Sequence, residues 1–153
     1  MADGAVEVFA DRSRQLQVID PSGRELLISV GAAIFTLRLA MRHRGRQPVL
    51  DRFPDEARPD LVARVRPGRA LASSEPVEAL HDAIVRRHTN RWPFTASVVT
   101  ADVVEHLVEA ARSERAALTV AGAVARNAII GLSQSAERQL RAQGRPNRPP
   151  GRT

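Results

Sequence analysis

The spacing of apolar residues along the chain predicts a fold of helices and a few short strands. Apolar and polar residues alternate over 5–9, which is typical of a strand. From Glu25 to His43, apolar residues recur at helical spacing on more than one face, so we expect this helix to be the most buried element. A short strand is expected over 49–53, and a strand or one helical turn over 61–65.

The second half of the chain is predicted to be mainly helical. Ser73 or Ser74 would cap a helix ending near Val85, and Thr100 would cap the next one. A strand is expected over 118–120, followed by a last amphipathic helix that ends near Gln143. The order β-α-β-α-loop-α-β-α indicates an α+β fold that is rich in helix and has a small mixed sheet. In the helix capped by Ser73 or Ser74, the inward face would be formed by Val77, Leu80 and Ile84. In the helix capped by Thr100, it would be formed by Val104, Leu107, Val108 and Ala111.

Composition narrows the class of protein. Hydrophobic residues make up 43% of the chain, but aromatic residues only 3%, so the core must be mainly aliphatic. There is no cysteine, which excludes disulfides and thiolate metal sites. No apolar run reaches the roughly 18 residues of a membrane span, and the first residues lack the features of an export signal. We therefore expect a cytoplasmic protein that does not use a membrane as a partner.

Arginine supplies all 23 basic residues, and the net charge is +6. Three of these arginines lie in the last ten residues, so the rest of the chain is only mildly basic. A nucleic-acid partner is therefore not indicated by charge. The histidines show no metal-ligand spacing, and neither a glycine-rich nucleotide motif nor a hydrolase serine motif is present. We predict no catalytic residue and no metal site, and interpret His43, His81 and His106 as surface or helix-end residues.

The strongest candidate for a binding site is the segment 86–91, Arg-Arg-His-Thr-Asn-Arg. Guanidinium groups form bidentate hydrogen bonds with phosphate oxygens, and hydroxyl and imidazole groups add further donors. This composition suits an anionic ligand. The alternative is a solvated run of charges after a helix, where arginines interact favourably with the helix dipole. The residues by themselves leave both interpretations open.

Two segments resemble one known family. The run Arg-Arg-His-Thr-Asn-Arg-x-x-Phe over 86–94 resembles the flavin-phosphate motif of nitroreductases. The segments 6–16 and 20–27, with Gly-Ala-Ala at 31–33, are more specific. Together, in this order, they resemble the Acg-type actinobacterial branch of the nitroreductase-like flavoproteins, in which two nitroreductase-like halves are fused. The resemblance covers approximately residues 5–143.

The resemblance implies an FMN cofactor and NAD(P)H as reductant, with nitro compounds or quinones as small-molecule substrates. It assigns the FMN phosphate and ribityl chain to Arg87, His88 and Thr89, with Arg86 as a flanking charge. Arg91 would approach the pyrimidine edge of the flavin. The resemblance also divides the chain into the end of a first half, residues 1–70 with its central helix, the start of a second half, residues 71–143, and a disordered tail, residues 144–153.

The family pattern contains segments that this chain lacks, including an Asn-x-Gln-Pro-Trp segment before the first strand. We therefore expect an incomplete copy of the nitroreductase-like FMN-binding fold, with uncovered surfaces that favour a homo-oligomer. A flavin-storage protein, a cofactor-free interaction remnant and a basic nucleic-acid-binding module are the alternatives. The last would need aromatic residues for base stacking, and only Trp92 and Phe94 lie near the basic segment.

Overall fold

A three-stranded antiparallel sheet forms the centre of the first of two units in this chain. The computed structural model describes residues 4–90, 92–93, 95 and 97–142, and one unit reaches His88 while the other begins at Thr89. In the first unit the strands are β1 (Val6–Phe9), β2 (Arg46–Arg52) and β3 (Leu61–Ala70), in the order β1-β3-β2. The α+β class is confirmed, although this sheet is antiparallel throughout rather than mixed.

The helix α1 (Arg24–His43) packs on this sheet and closes the core. Its buried positions Val30 and Ile34 are one helical turn apart, so they contact the sheet from one face of the helix. The strand residues beneath them are small or β-branched, which allows the helix to approach closely. The buried cluster consists of Ala10, Val30, Ile34, Val62, Ala63 and Val65.

The central strand β3, and not α1, is the most buried element. Leu61, Ala63 and Val65 have no exposed surface. Strands flank β3 on both edges, and Ala63 and Val65 lie in the core cluster together with Val30 and Ile34 of α1. In α1, by contrast, Ile28 is 56% exposed and Phe35 39% exposed. The expectation that α1 is the most buried helix or strand was therefore wrong: its apolar residues surround the helix, but the sheet covers only one side.

Glycine at position 68 lets β2 and β3 approach each other. A Cβ atom on Gly68 would lie 2.9 Å from the Gln47 carbonyl oxygen and 3.0 Å from the Val49 side chain. Both distances are shorter than ordinary contacts, so a side chain here would push the strands apart. The pairing is also irregular between Arg46 and Pro48, where the hairpin departs from a regular ladder.

An ion-pair network joins β1 to its neighbours. Glu7 accepts hydrogen bonds from Arg64 on β3, at 2.7 Å, and from both terminal nitrogens of Arg58, at 3.2 Å each. Arg58 also donates to Asp55 at 2.8 Å, within the loop between β2 and β3. The hydrogen bonds from Arg58 and Arg64 lower the pKa of Glu7, so the network stays ionised over the usual pH range.

Asp20 lies before the start of α1, and its carboxylate caps the first turn of the helix. Asp20 is 4% exposed, and its Oδ2 accepts a hydrogen bond of 2.9 Å from the Leu26 N–H. Burial alone would raise the pKa of Asp20, but the backbone N–H groups of residues 23–26 outweigh that effect and lower it. The chain turns into the helix at Gly23, whose φ of 75° is a left-handed conformation that favours glycine.

By length and hydropathy, α1 is the one helix among the described residues that could cross a membrane. Core helices of proteins without a membrane pass the same test, and the sheet contacts of Val30 and Ile34 agree with a core helix. The cytoplasmic location stays a prediction.

The helix α2 (Glu75–Arg86) packs against α1 in the same unit. Ser74 occupies its N-cap position as predicted, although the side chain makes no capping hydrogen bond. Two residues of the predicted inward face, Val77 and Ile84, are half-buried, whereas the third, Leu80, is 50% exposed. Glu78 and His81 are half-buried as well. The contact with α1 includes the polar side chain of Glu78 and the ring of His81, both of which meet His43.

The second unit contains α3 (Ala101–Ser113) and α4 (Ala123–Ala142). The predicted face of α3 is half-buried at Val104 and Val108. The strand expected over 118–120 was wrong: this segment is irregular and exposed, and none of the described strands lies in this unit to pair with it. The tail over 144–153 lies outside the described residues, and the proposed boundary at residue 70 stays a prediction.

The core assignment predicts a large difference between two leucine variants. Leu61→Ala should lower the free energy of unfolding by about 2–5 kcal/mol, because it leaves a cavity in a fully covered strand. Leu132→Ala, which removes the same atoms from a side chain that is 72% exposed in α4, should change it by less than about 0.5 kcal/mol. Urea titration followed by circular dichroism measures both. Equal losses would contradict this core.

The cap predicts a pH-dependent contribution from Asp20. Its pKa is lowered in the folded state, so its stabilisation is complete above the unfolded pKa and is lost as pH falls through the folded pKa. Asp20→Ala should lower Tm by roughly 4–8 °C at neutral pH. Asp20→Asn keeps an acceptor without a charge, so it should retain most of the Tm and lose this part of the acid dependence. An unchanged Tm in the alanine variant would refute the cap.

Candidate functional site

The end of α2 positions the first part of the predicted phosphate-binding segment. The Arg87 N–H donates to the Ala83 carbonyl at 2.9 Å, which closes the last turn of the helix. The backbone then leaves the helix, with Arg87 in an extended conformation at φ −70° and ψ 125°. His88 Nδ1 lies 3.3 Å from the Arg86 carbonyl oxygen, to which it donates when that nitrogen carries the proton. Arg86, Arg87 and His88 are therefore consecutive donors at the C-terminal end of a helix.

The side chains of these three residues are exposed. Arg86 Nε donates to the Asp82 carbonyl at 3.2 Å, a contact that leaves its terminal nitrogens available. Among the described residues, no carboxylate forms an ion pair with Arg86 or Arg87. Arg58 and Arg64, in the sheet, are by contrast fully engaged with carboxylates. The cations at the end of α2 thus lack protein anions among the described groups.

The remaining predicted site residues are placed differently. Thr89 is exposed and begins the second unit. Arg91 lies outside the described residues, so its predicted position at the flavin ring stays a prediction. In the same stretch, Asn90 Oδ1 accepts a hydrogen bond of 3.0 Å from the Trp92 N–H, which bends the backbone into a local turn. The structure therefore brings together Arg86, Arg87 and His88.

A second polar cluster, at the contact between α1 and α2, was missed by the sequence analysis. His43 Nδ1 lies 2.8 Å from Glu78 Oε2, and Ser73 Oγ donates to the other oxygen of the same carboxylate. The rings of His43 and His81 stack with centroids 3.8 Å apart and an angle of 5° between their planes. Only the spacing of Glu78 and His81, three residues apart on one helix face, could have suggested this cluster.

The chemistry of this cluster is that of a contact, not of a metal centre. Parallel stacked rings direct their nitrogen lone pairs along separate planes, and the described residues contain no group of three ligands able to hold an ion. The hydrogen bond from Ser73, followed by that from His43, lowers the pKa of Glu78. Glu78 is therefore an anion over the range in which histidines ordinarily titrate.

A groove of about 700 Å³ lies elsewhere in the first unit, between β1, the segment after it and the start of α1. Its walls are largely apolar, with Val8, Leu16 and Val30 among the lining residues. The Asp20 carboxylate in this groove is already used as the helix cap. Arg86, Arg87 and His88 do not line it.

No family model matches the chain. It is 36% identical over 92 residues to "Putative NAD(P)H nitroreductase acg" of Mycobacterium tuberculosis, an alignment that covers 60% of this chain and 28% of that protein. It is 31% identical over 134 residues to "Uncharacterized protein Rv3127" of the same species, which covers 86% of this chain and 38% of the relative. These matches support a nitroreductase-like family for this chain, as a partial copy.

A third relative of this nitroreductase-like chain agrees with the assignment. "Putative NAD(P)H nitroreductase Rv3131" of M. tuberculosis is 34% identical over 94 residues, with 58% of this chain and 27% of that protein covered. The chain thus spans about a third of the length of these relatives. The family resemblance predicted from the segments 6–33 and 86–94 is confirmed. The activity in the relatives' names is that of much longer proteins.

The exposure of the phosphate-binding candidates predicts that they contribute little to folding. Alanine substitutions at Arg86, Arg87 and His88 should each change the free energy of unfolding by less than about 0.5 kcal/mol. Arg64→Ala is the matched comparison, because it removes an arginine that is bound to Glu7 in the sheet. Thermal unfolding measures all four variants. A loss at Arg87 as large as that at Arg64 would indicate a structural role.

Proposed function

We propose that this chain is part of an FMN-binding, nitroreductase-like oxidoreductase, and that Arg87 and His88 bind the FMN phosphate with Arg86 as a flanking charge. The observation that carries the proposal is the pair of arginines at the end of α2 without a carboxylate partner among the described residues. Family membership gives this pair of cations a ligand of matching chemistry. The solvated charge run remains the alternative, and the binding experiment below separates the two.

The donor set fits a phosphate monoester. A guanidinium group offers two parallel N–H donors to two phosphate oxygens, and such charge-assisted bonds are roughly twice as strong as neutral ones. Arg87 supplies that group on extended backbone, and His88 follows it with a ring nitrogen. Thr89 would add a hydroxyl donor by family resemblance. Arg86 would raise the local positive potential without a direct contact.

The flavin would supply the redox chemistry, accepting a hydride from NAD(P)H and passing electrons to a nitro compound or quinone. The residues of this chain would bind and orient the cofactor. By family resemblance, Arg91 would lie near the flavin pyrimidine edge, where a fixed cation favours the anionic reduced flavin. Flavin storage uses the same phosphate contacts, so binding and turnover are separate questions.

Comparison of FMN with riboflavin tests the phosphate contact, because riboflavin lacks only the phosphate. In the full chain, Arg87→Ala should weaken FMN binding roughly ten- to hundredfold, the loss expected of one charge-assisted hydrogen bond. Riboflavin binding should be unchanged. Flavin fluorescence quenching or calorimetry gives both affinities.

Arg126→Ala is the matched control, because it removes the same charge from an exposed position on α4. It should leave the affinity for FMN and riboflavin unchanged. Equal losses of both ligands in Arg87→Ala would reject the phosphate role. Unchanged FMN binding in that variant, or no FMN binding by the unmodified chain, would support the alternative, in which segment 86–91 is a solvated run of charges.

A further inference from the structure

The stacked histidines His43 and His81 join the end of α1 to α2, the helix that carries Arg86 and Arg87 at its own end. We propose that this pair is a proton-controlled clasp. When at most one of the two rings is protonated to the cation, the pair holds α2 on α1. When both rings are cations, α2 is released. The effect on flavin binding rests on the function proposed above. The clasp itself does not.

The cluster accommodates one positive charge. His43 Nδ1 lies 2.8 Å from Glu78 Oε2, so a protonated His43 forms an ion pair with a carboxylate that Ser73 also holds in place. His43 is moreover the last residue of α1, where the negative end of the helix dipole favours a cation. A singly protonated cluster therefore strengthens the contact between the helices.

A second proton, on His81, has no hydrogen-bond partner at Nδ1 among the described residues. Protonated His81 would place a like charge over His43, whose ring centroid is only 3.8 Å away. His81 Nδ1 is buried and has no hydrogen-bond partner among the described residues, so a proton there would be an unsatisfied donor. The contact is therefore compatible with a neutral His81 and opposes a charged one.

The acidic group closest to His81 Nδ1 offsets that second proton only weakly. On α2, Asp82 Oδ1 lies 4.0 Å from His81 Nδ1, and the Asp82 side chain is 74% exposed, so solvent screens it. On α1, Arg42 precedes His43 and donates to the Leu71 carbonyl, which adds positive charge at the same end of the helix. Glu78 is thus the one carboxylate among the described residues within hydrogen-bonding distance of the pair.

Acidification through the range where histidines titrate should consequently loosen α2 while the sheet stays intact. Loosening of α2 would release Arg86, Arg87 and His88 from their fixed positions at its end. Protonation of His88 would by itself favour phosphate, so flavin affinity alone gives an ambiguous signal. Amide exchange along α2 reports the clasp directly.

Hydrogen–deuterium exchange of the full chain at about pH 7.5 and about pH 5.5 tests the clasp. Protection of α2 amides, corrected for intrinsic exchange and compared with β3 amides, should fall about tenfold or more in the wild-type chain. His81→Phe keeps a stacked ring but removes the second proton, so the fall should disappear. His106→Phe, at an exposed position on α3, should behave as wild type.

A second variant shifts the transition in the opposite direction. Glu78→Gln removes the anion that stabilises the first proton, so α2 should open at higher pH than in the wild-type chain. Constant α2 protection in the wild type, or an equal fall in His81→Phe, would overturn the clasp, and so would an unshifted transition in Glu78→Gln. A pH-dependent α2 in a chain that binds no FMN would keep the clasp and reject the proposed function.

Discussion

Burial of the central strand β3 beneath α1 is the constraint on which the rest of the first unit depends. Leu61, Ala63 and Val65 are fully buried in the strand between β1 and β2, and Val30 and Ile34 of the helix share one core cluster with Ala63 and Val65. Apolar surface of this kind supplies most of the driving force for folding. The polar contact of α1 with α2 lies at the C-terminal end of α1, at His43.

The described arginines of the first unit include residues paired with carboxylates and residues without a carboxylate partner. In the first unit, Glu7 and Asp55 together form ion pairs with Arg58 and Arg64, so positive charge there is used to join β1 to its neighbours. At the end of α2, Arg86 and Arg87 have no such partner among the described residues. An arginine without a protein anion keeps its capacity to bind an external one. This contrast, within one arginine-rich chain, separates the structural arginines from the candidate binding residues.

The contact between α1 and α2 connects the core to the candidate site through titratable side chains. Glu78 accepts hydrogen bonds from Ser73 and His43, and His81 lies flat on His43. Two imidazole rings and one carboxylate make this contact sensitive to protonation, whereas a purely apolar contact would hold α2 at any pH. The family relationship does not require this arrangement. It follows from which residues of α2 face inward.

The local sequence pattern was sufficient to predict the helices and strands that are marked by an apolar repeat, an alternation or an N-cap residue. The alternation over 5–9, the long apolar repeat from Glu25 and the N-cap positions Ser74 and Thr100 predicted strands and helices close to those observed. The basic segment and the family were likewise readable from consecutive residues. Tertiary structure decided the features that depend on partners distant in sequence. It covers β3 more completely than α1, and it provides no strand among the described residues with which 118–120 could pair. It also brings His43 into contact with His81. Burial and stacking are properties of pairs of segments, and a single segment cannot specify its neighbour.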